Sequence, residues 1–384
     1  MKQIDQMKSL FLLFCIHWLC MFSFGQHTTN NSYFPIAVWL QNPENAKKYQ
    51  QQGNINLYIG LWNELDEHQL TLIKEAGVKL ICEQNTFGLA HKSDPAIMGW
   101  MKGDESDNAQ WNSSTRTYDP CIPPDKVIAQ YKNAKQKDPD HPYYLNLGQG
   151  VTYTNWIGRG ECRGRTDMYP IANNGYLKGC DIASFDVYPV NSKDTMVRDK
   201  LWMGAKGIDS LRTWCDDNKP VWTWIETTRI DKDSPRKPTP QEVKTQVWMA
   251  LIHGAKGIGY FCHSFYPEQN DAALLHDKEM LAAVKEINTQ ITSLAPVLNS
   301  LTTPDFAHVK SSNPRVPVDI MTKKYDADHY LFAVGMRNLP TKASFAISAG
   351  KQVEVVGENR KLEIFDGRFE DHFNGYEVHI YKIR

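Results

Sequence analysis

The chain has 384 residues, of which 41% are hydrophobic and 23% are charged, and its formal net charge is −1. This composition is typical of a globular protein with one large domain and a smaller one. The 43 basic side chains balance the 44 acidic ones and form no basic block, so the sequence gives no basis for nucleic-acid binding.

The N-terminus has the pattern of an export signal, and we predict that residues 1–26 are a signal peptide. Lys2 and Lys8 precede the apolar run SLFLLFCIHWLCMFSFG, which is short and is followed by polar residues without a basic stop-transfer cluster. We therefore expect a secreted or periplasmic protein with no membrane span. Attachment as a surface lipoprotein through Cys20 is disfavoured, because the bulky Trp18 and Leu19 precede that cysteine.

Six of the eight cysteines lie beyond the predicted signal peptide, and an exported protein can pair them in disulfides. Cys162 and Cys180 flank one loop and are the favoured pair, while the spacing alone leaves the connectivity open. The sequence has no CxxC or HxxxH pattern, so we expect neither a structural metal nor another cofactor.

Short β-rich apolar runs alternate with helical segments, which is typical of a parallel α/β fold. Helices are predicted at 66–76, at 240–253 after the capping box of Thr239 and Glu242, and over roughly 271–298. Eight units of one strand and one helix match a (β/α)8 TIM barrel in number and size. The predicted strands are 34–40, 55–62, 78–84, 97–103, 142–148, 181–190, 220–226 and 257–265.

A doubly wound open sheet is the alternative, and it carries a glycine-rich turn after its first strand. Here the first run ends in WLQNPENAKKY without a glycine, and GAKGIG at 254–259 precedes a strand instead of opening a helix. We therefore predict a (β/α)8 barrel over residues 27–303. Beyond it, short strands separated by turn residues predict a small all-β sandwich over residues 304–384.

Active sites of such barrels lie at the carboxyl ends of the strands, so polar residues at these ends should converge on one rim. Glu105 follows the fourth predicted strand and Glu226 ends the seventh, on roughly opposite sides of the ring. Two-residue alternation points both side chains inward. The residues predicted to bind substrate at the same rim are Asp104, Trp39, Trp62, Glu83, Asn146, Asp186, Tyr188, Trp224 and His263.

Two facing carboxyl groups are what glycosidic bond cleavage requires, since one protonates the leaving oxygen and the other attacks the anomeric carbon or activates water there. Tryptophans near the strand ends, including Trp111 and Trp156, could stack on sugar rings. We expect a monomeric, endo-acting hydrolase of a polysaccharide or oligosaccharide.

Several segments resemble the clan A glycoside hydrolases, which are retaining (β/α)8 enzymes. The similar segments are GDESDNAQ after strand four, SFDVYPV at strand six, WTWIETT at strand seven and ALIHGAKGIGYFCHSF leading into strand eight. The resemblance implies a double displacement with Glu105 as acid/base and Glu226 as nucleophile. One departure is Asp104, which stands where these enzymes commonly have Asn. Its charge would favour a proton on Glu105, and it is also a rival for the acid role.

Two alternatives remain open at this stage. The loop GRGECRGRTDMY carries Arg159, Arg163 and Arg165, so the substrate could be a sulfated or otherwise anionic, fucan-like polysaccharide hydrolysed by Asp186 with Glu226. The other alternative is a glycan-binding barrel that has lost turnover.

Overall fold

The computed structural model describes residues 32–153, 156 and 166–384. The predicted signal peptide, Cys20, Cys162 and the three arginines of the predicted basic loop lie outside these residues.

Eight parallel strands form a closed barrel in which each strand pairs with its neighbours in chain order and the last pairs with the first. Each strand lies within one of the predicted runs, so the predicted (β/α)8 fold is confirmed. The strands are β1 (Ile36–Trp39), β2 (Leu57–Ile59), β3 (Lys79–Glu83), β4 (Ile97–Met101), β5 (Tyr143–Leu147), β6 (Ile182–Asp186), β7 (Val221–Glu226) and β8 (Gly257–Phe261).

The helices surround this barrel, and two of them begin at capping boxes. Asp66 and Gln69 cap the second helix, and Thr239 and Glu242 cap the sixth. The predicted helix over 271–298 is divided at Asp277, whose side chain caps the longer part. The helices are α1 (Ala46–Gly53), α2 (Glu67–Glu75), α3 (Thr86–Ala90), α4 (Pro124–Lys137), α5 (Met203–Trp214), α6 (Pro240–Ile252), α7 (Ala273–His276) and α8 (Lys278–Leu298).

Aromatic side chains fill the inside of the barrel. Trp222 and Trp224 point inward from β7, as alternation predicts, and pack with Tyr144 in one buried cluster. Strand β8 accommodates both indoles because it presents glycines to them. A Cβ atom at Gly259 would lie 2.1 Å from the Trp224 ring, and one at Gly257 would lie 2.5 Å from the Trp222 ring. The glycines of the GIG segment therefore serve packing.

Antiparallel strands follow the barrel and form two sheets, which agrees with the predicted C-terminal β-sandwich. One sheet has six strands in the order β9-β11-β12-β17-β14-β15, and the other has three in the order β10-β13-β16. These strands are β9 (Leu301–Thr302), β10 (Ala307–Ser311), β11 (Val318–Tyr325), β12 (Asp328–Gly335), β13 (Thr341–Ile347), β14 (Val353–Val355), β15 (Arg360–Leu362), β16 (Arg368–Phe373) and β17 (Val378–Ile383).

Helix α6 connects the barrel with the larger of these sheets. Trp248 of α6 stacks on Phe332 of β12 with ring centroids 5.7 Å apart. Thr245 of the same helix donates a hydrogen bond of 2.7 Å to the carbonyl oxygen of Tyr376. The barrel core and part of the C-terminal sheet consequently belong to one continuous hydrophobic cluster.

The predicted Cys162–Cys180 disulfide is wrong. Cys121 is disulfide-bonded, whereas Cys180 is a free thiol, as are Cys82, Cys215 and Cys262. The Cys180 thiol is fully buried and donates to the carbonyl oxygen of Leu177. Among the described residues, no helix combines the length and apolarity needed to cross a membrane.

Candidate active site

A cleft of about 450 Å³ opens at the carboxyl ends of the barrel strands. Of the eleven site residues predicted from the sequence, nine line this cleft, and Glu83 and Glu226 do not. The lining consists of Trp39, Leu40, Trp62, Asp104, Glu105, Asn146, Gln149, Trp156, Asp186, Val187, Tyr188, Trp224, Phe261, His263 and Phe265.

Glu105 reaches the cleft through a tight turn, because regular strand pairing ends at Met101. Gly103 and Glu105 both have left-handed backbone conformations, with φ of 66° and 39°. Asn108 closes the turn by donating its backbone N–H to the Glu105 carbonyl oxygen, and its Nδ2 donates to Glu105 Oε2 at 2.9 Å. A non-glycine residue in this conformation is strained, and such strain persists where the surrounding structure holds it.

Asp186, the last residue of β6, lies beside the side chain of Glu105 in the lining of the cleft. Burial raises the pKa of Asp186 well above its ordinary value, and the negative charges of Glu105 and Asp104 raise it further. Tyr188 lies beside Asp186, and burial together with the charge of Asp186 raises the pKa of Tyr188. Of these neighbouring groups, Asp186 is the carboxyl group whose raised pKa favours the protonated form.

A chain of hydrogen bonds from the barrel interior holds the third acidic group of the cleft. Trp224 Nε1 donates to Asn146 Oδ1 at 3.1 Å and to the Tyr144 hydroxyl at 2.9 Å. Asn146 Nδ2 in turn donates to Asp104 Oδ1 at 2.9 Å. The amide orientation of Asn146 is thus set by the indole, and the Asp104 carboxylate is oriented by the amide.

Asp107 is a buried residue of the same acidic run that the sequence analysis did not select. Its Oδ1 accepts a hydrogen bond from the Gly148 backbone N–H, and its Oδ2 accepts one from the Tyr169 hydroxyl, both at 2.8 Å. Burial raises the pKa of Asp107 to about 6, and the charge of Glu105 adds to the effect. Asp107 therefore anchors the turn that carries Glu105 to the end of β5. The high density of carboxylates in the segment GDESD was the sequence signal that could have identified Asp107.

The structure does not support the predicted position of Glu226 at the cleft. Its side chain is fully buried, and Oε1 accepts from the Val190 backbone N–H at 2.7 Å. Oε2 accepts from the backbone N–H and the Nδ2 of Asn191 at 2.9 and 2.7 Å. Burial raises the pKa of Glu226 to about 7, although these donors oppose the shift. Glu226 holds the loop after β6, and both of its carboxylate oxygens accept hydrogen bonds from that loop.

Glu83 also has a local role. Its Oε1 accepts a hydrogen bond of 3.1 Å from the Gly103 backbone N–H, at the start of the turn that leads to Glu105. The predicted substrate contact of Glu83 is therefore not supported, because the side chain lies outside the lining of the cleft.

Aromatic side chains form the walls of the cleft. Trp62 is 54% exposed and stacks on His263, with ring centroids 5.9 Å apart and planes inclined by 25°. His263 is buried, its Nε2 lies 3.0 Å from Gln41 Nε2, and burial lowers its pKa. Trp156 also lines the cleft, whereas Trp111 lies outside it on a hairpin formed by Ala109–Asn112 and Thr117–Cys121.

The described residues contain no group of three or more His, Cys, Asp or Glu side chains placed to hold a metal ion. The chemistry of the cleft is that of carboxyl groups, a tyrosine and aromatic faces. Such a site can transfer protons, attack an electrophilic carbon and bind flat, weakly polar surfaces.

A closed (β/α)8 barrel followed by a β domain is the architecture of many glycoside hydrolases, and comparison with solved structures finds this fold among them. Gan42B, a GH42 β-galactosidase, has a TM-score of 0.60 at 8% identity, covering 92% of this chain and 98% of that one. AmyP in complex with maltose has a TM-score of 0.54 at 10% identity, covering 92% of this chain and 97% of that one. The α-amylase from Geobacillus thermoleovorans complexed with acarbose has a TM-score of 0.52 at 12% identity, covering 92% and 98%.

The resemblance to (β/α)8 glycoside hydrolases is thereby confirmed at the level of the fold, and the particular family is not determined. No protein-family model matches the sequence, and no curated protein matches it.

Proposed function

We propose that this protein is a retaining glycoside hydrolase whose reacting carboxyl groups are Glu105 and Asp186. The observation that carries the proposal is the close approach of these two side chains in an aromatic cleft at the catalytic end of the barrel. The solved structures with this fold include a β-galactosidase, AmyP in complex with maltose and an α-amylase complexed with acarbose, which supports an oligosaccharide or polysaccharide substrate.

The two carboxyl groups take different roles because they differ in protonation. Asp186, whose raised pKa favours its protonated form, is the general acid. Glu105 accepts a hydrogen bond from the Asn108 amide, which stabilises a negative charge, and is the nucleophile. This assignment differs from the one that the resemblance implied, in which Glu105 was the acid/base and Glu226 the nucleophile.

The reaction proceeds in two displacements. Asp186 delivers its proton to the glycosidic oxygen as the bond from that oxygen to the anomeric carbon breaks, and Glu105 forms a bond to the same carbon. A water molecule then attacks the anomeric carbon, Asp186 accepts its proton, and Glu105 leaves. Retention is favoured over inversion because inverting enzymes keep their carboxyl groups roughly 6.5–9.5 Å apart, which leaves room for the water, whereas retaining enzymes keep them only about 5–5.5 Å apart, and these two side chains lie side by side.

A neutral sugar fits the cleft better than an anionic one. Three carboxyl groups, those of Asp104, Glu105 and Asp186, line the cleft, and its described lining contains no Lys or Arg. A sulfate group there would meet like charges, which disfavours binding. Sulfated substrates are the second candidate, and the arginines of the predicted basic loop remain the reason to include them.

The experiment is a screen of the purified protein against neutral and sulfated polysaccharides and oligosaccharides, with the products separated by size. We expect hydrolysis of a neutral glycan, and a loss of about 10³-fold or more in Glu105→Gln. Glu64→Gln is the matched control, since it removes an exposed carboxylate that does not line the cleft. Binding of glycans without any hydrolysis would instead support the glycan-binding alternative.

We also propose that the protein is exported. The disulfide of Cys121 supports an oxidising compartment, in addition to the N-terminal pattern. N-terminal sequencing of the protein recovered from the secreted and periplasmic fractions tests this, and an intact N-terminus on cytoplasmic protein would contradict it.

A further inference from the structure

A second cavity, of about 290 Å³, lies at the other end of the barrel, where the C-terminal domain meets it. Val221 begins β7 and Lys256 directly precedes β8, so the cavity is at the amino ends of these strands. Four basic side chains line it, against one acidic side chain, Asp217. We call this cavity the basic pocket, and its basic residues are Arg212, Lys219, Lys256 and Lys323.

Arg212 is held in a fixed orientation in the basic pocket. Its Nε donates to Asp217 Oδ1 at 2.7 Å, and its Nη1 donates to the His253 carbonyl oxygen at 2.8 Å. The guanidinium lies against Gly254, where an added Cβ would be only 2.9 Å from Nη1. The pocket thus has one guanidinium fixed in place before any ligand enters.

Lys323 enters the pocket from β11 of the C-terminal domain, and it is only 2% exposed. Its ammonium group donates to the Ser300 carbonyl oxygen at 3.0 Å and to Thr302 Oγ1 at 2.9 Å. Lys219 donates to the Leu177 carbonyl oxygen at 2.8 Å. The hydrogen-bond partners of Lys323 and Lys219 are neutral, so they satisfy the ammonium groups without cancelling their positive charges.

The electrostatics of the pocket agree with an excess of positive charge. Burial lowers the pKa of Lys323 to about 8, and repulsion from Lys256 and Arg212 contributes. The pKa of Lys256 is lowered by desolvation and then by Arg212. Like charges held close together are unfavourable unless an opposite charge joins them, and a bound anion would relieve the repulsion.

We propose that the basic pocket binds a doubly charged oxyanion of the phosphate or sulfate class, with Arg212, Lys256 and Lys323 as its ligands. The volume of about 290 Å³ accommodates such an ion together with water or a small organic substituent. Arg212 and Lys256 belong to the barrel and Lys323 belongs to the C-terminal domain. The anion would therefore join the two parts of the chain by charge-assisted hydrogen bonds.

The test is isothermal titration calorimetry with inorganic phosphate and with inorganic sulfate at constant ionic strength, in chloride buffer. We expect saturable binding and a rise in Tm that follows the anion concentration. Lys256→Gln should weaken binding about tenfold or more, because it removes a charged donor. Lys310→Gln is the matched control, since it removes an exposed lysine of β10 outside the pocket, and it should leave binding unchanged.

Lys323→Met is a second variant with the same expected loss, but Lys323 is buried and its replacement could impair folding. Lys256 is exposed, so the Lys256→Gln result keeps the test decisive. Glucose 6-phosphate and glucose 6-sulfate are included beside the inorganic ions. Tighter binding of the esters would identify a sugar-borne group, and equal binding would identify the free ion. Absence of saturable binding, or binding unaffected by Lys256→Gln, would overturn the proposal.

Discussion

Glu105 and Asp186 lie side by side in the cleft although they come from the ends of two different barrel strands, β4 and β6. Because the raised pKa of Asp186 favours its protonated form, the pair contains a proton donor beside a second carboxyl group.

Asp186→Asn and Glu105→Gln should respond differently to the leaving group. Without its acid, the enzyme should lose about 10²–10⁴-fold on a natural oligosaccharide and much less on an aryl glycoside that needs no protonation. Without its nucleophile, it should lose activity on both substrates to a similar degree. Measuring kcat/KM for each variant on each substrate shows which residue is the acid and which is the nucleophile. The opposite pattern would restore Glu105 as the acid.

Gly148→Ala should impair catalysis with little effect on folding. A Cβ atom at Gly148 would lie 3.1 Å from Glu105 Oε1 and 3.2 Å from the Trp156 ring. The added methyl group displaces the Glu105 carboxylate, and we expect kcat to fall about tenfold or more, since misplacement by about 1 Å can cost 10²-fold. Gly204→Ala is the control, because a Cβ there meets nothing within 4 Å. Equal kcat values in the two variants would argue against a critical position of Glu105.

Glu226→Gln should lower stability more than it lowers turnover. The substitution replaces one carboxyl oxygen by an NH2 group, which cannot accept the hydrogen bonds from Val190 and Asn191, and leaving a buried donor unsatisfied costs about 1–3 kcal/mol. We expect a lower free energy of unfolding by denaturant titration and a kcat within about tenfold of wild type, in contrast to Glu105→Gln. An unchanged free energy of unfolding combined with abolished turnover would favour the nucleophile role that the resemblance implied.

The stability of the protein should fall as the pH rises from 5 to 8. Burial raises the pKa of Asp107 to about 6 and that of Glu226 to about 7, whereas both titrate near 4 in the unfolded chain. Their protonated forms are favoured in the folded state, so this stabilisation is complete below about pH 4 and is lost through pH 6 and 7. Each group contributes a slope of about 1.4 kcal/mol per pH unit at most.

Denaturant titrations at several pH values measure this dependence. Glu226→Gln should reduce the slope from pH 5 to pH 7 and leave the slope due to Asp107, which declines above about pH 6. A free energy of unfolding that increases across this range would contradict the assignment.

Trp62→Ala should weaken substrate binding selectively. Trp62 is 54% exposed at the cleft, so its loss costs little stability but removes a flat apolar surface for a sugar ring. We expect KM to rise several-fold to about tenfold with kcat nearly unchanged. Trp111→Ala, which removes a tryptophan that is 58% exposed outside the cleft, is the control and should leave KM unchanged.

The barrel could be predicted from the sequence because each strand and its inward face follow from local patterns. Trp222 and Trp224 point inward on β7 as two-residue alternation requires. The same rule fails at Glu105, because left-handed backbone conformations at Gly103 and at Glu105 itself interrupt the strand geometry. Glu105 reaches the rim, but through a turn whose conformation no alternation could predict.

Glu226 shows a second limit of prediction from the sequence. Alternation places it inward correctly, but its partners Val190 and Asn191 lie in a loop 35 to 36 residues earlier, and they occupy both carboxylate oxygens. Both Glu105 and Glu226 lie at strand ends in the sequence, and only the folded chain shows that Glu105 lines the cleft and Glu226 does not. The pairing of Cys180 failed for the same reason, since flanking a loop does not determine burial or distance.

The packing of helix α6 against the C-terminal sheet affects how the chain folds during synthesis. Its residues from Thr245 to Ile252 are all buried, and part of this cover comes from Phe332 of the C-terminal sheet. The ribosome completes the barrel strands before it produces that sheet, and strand β17, which pairs with the strand of Phe332, follows later in the chain. Until this sheet has formed, the nascent barrel carries an apolar helix exposed to water, which is a surface that chaperones recognise.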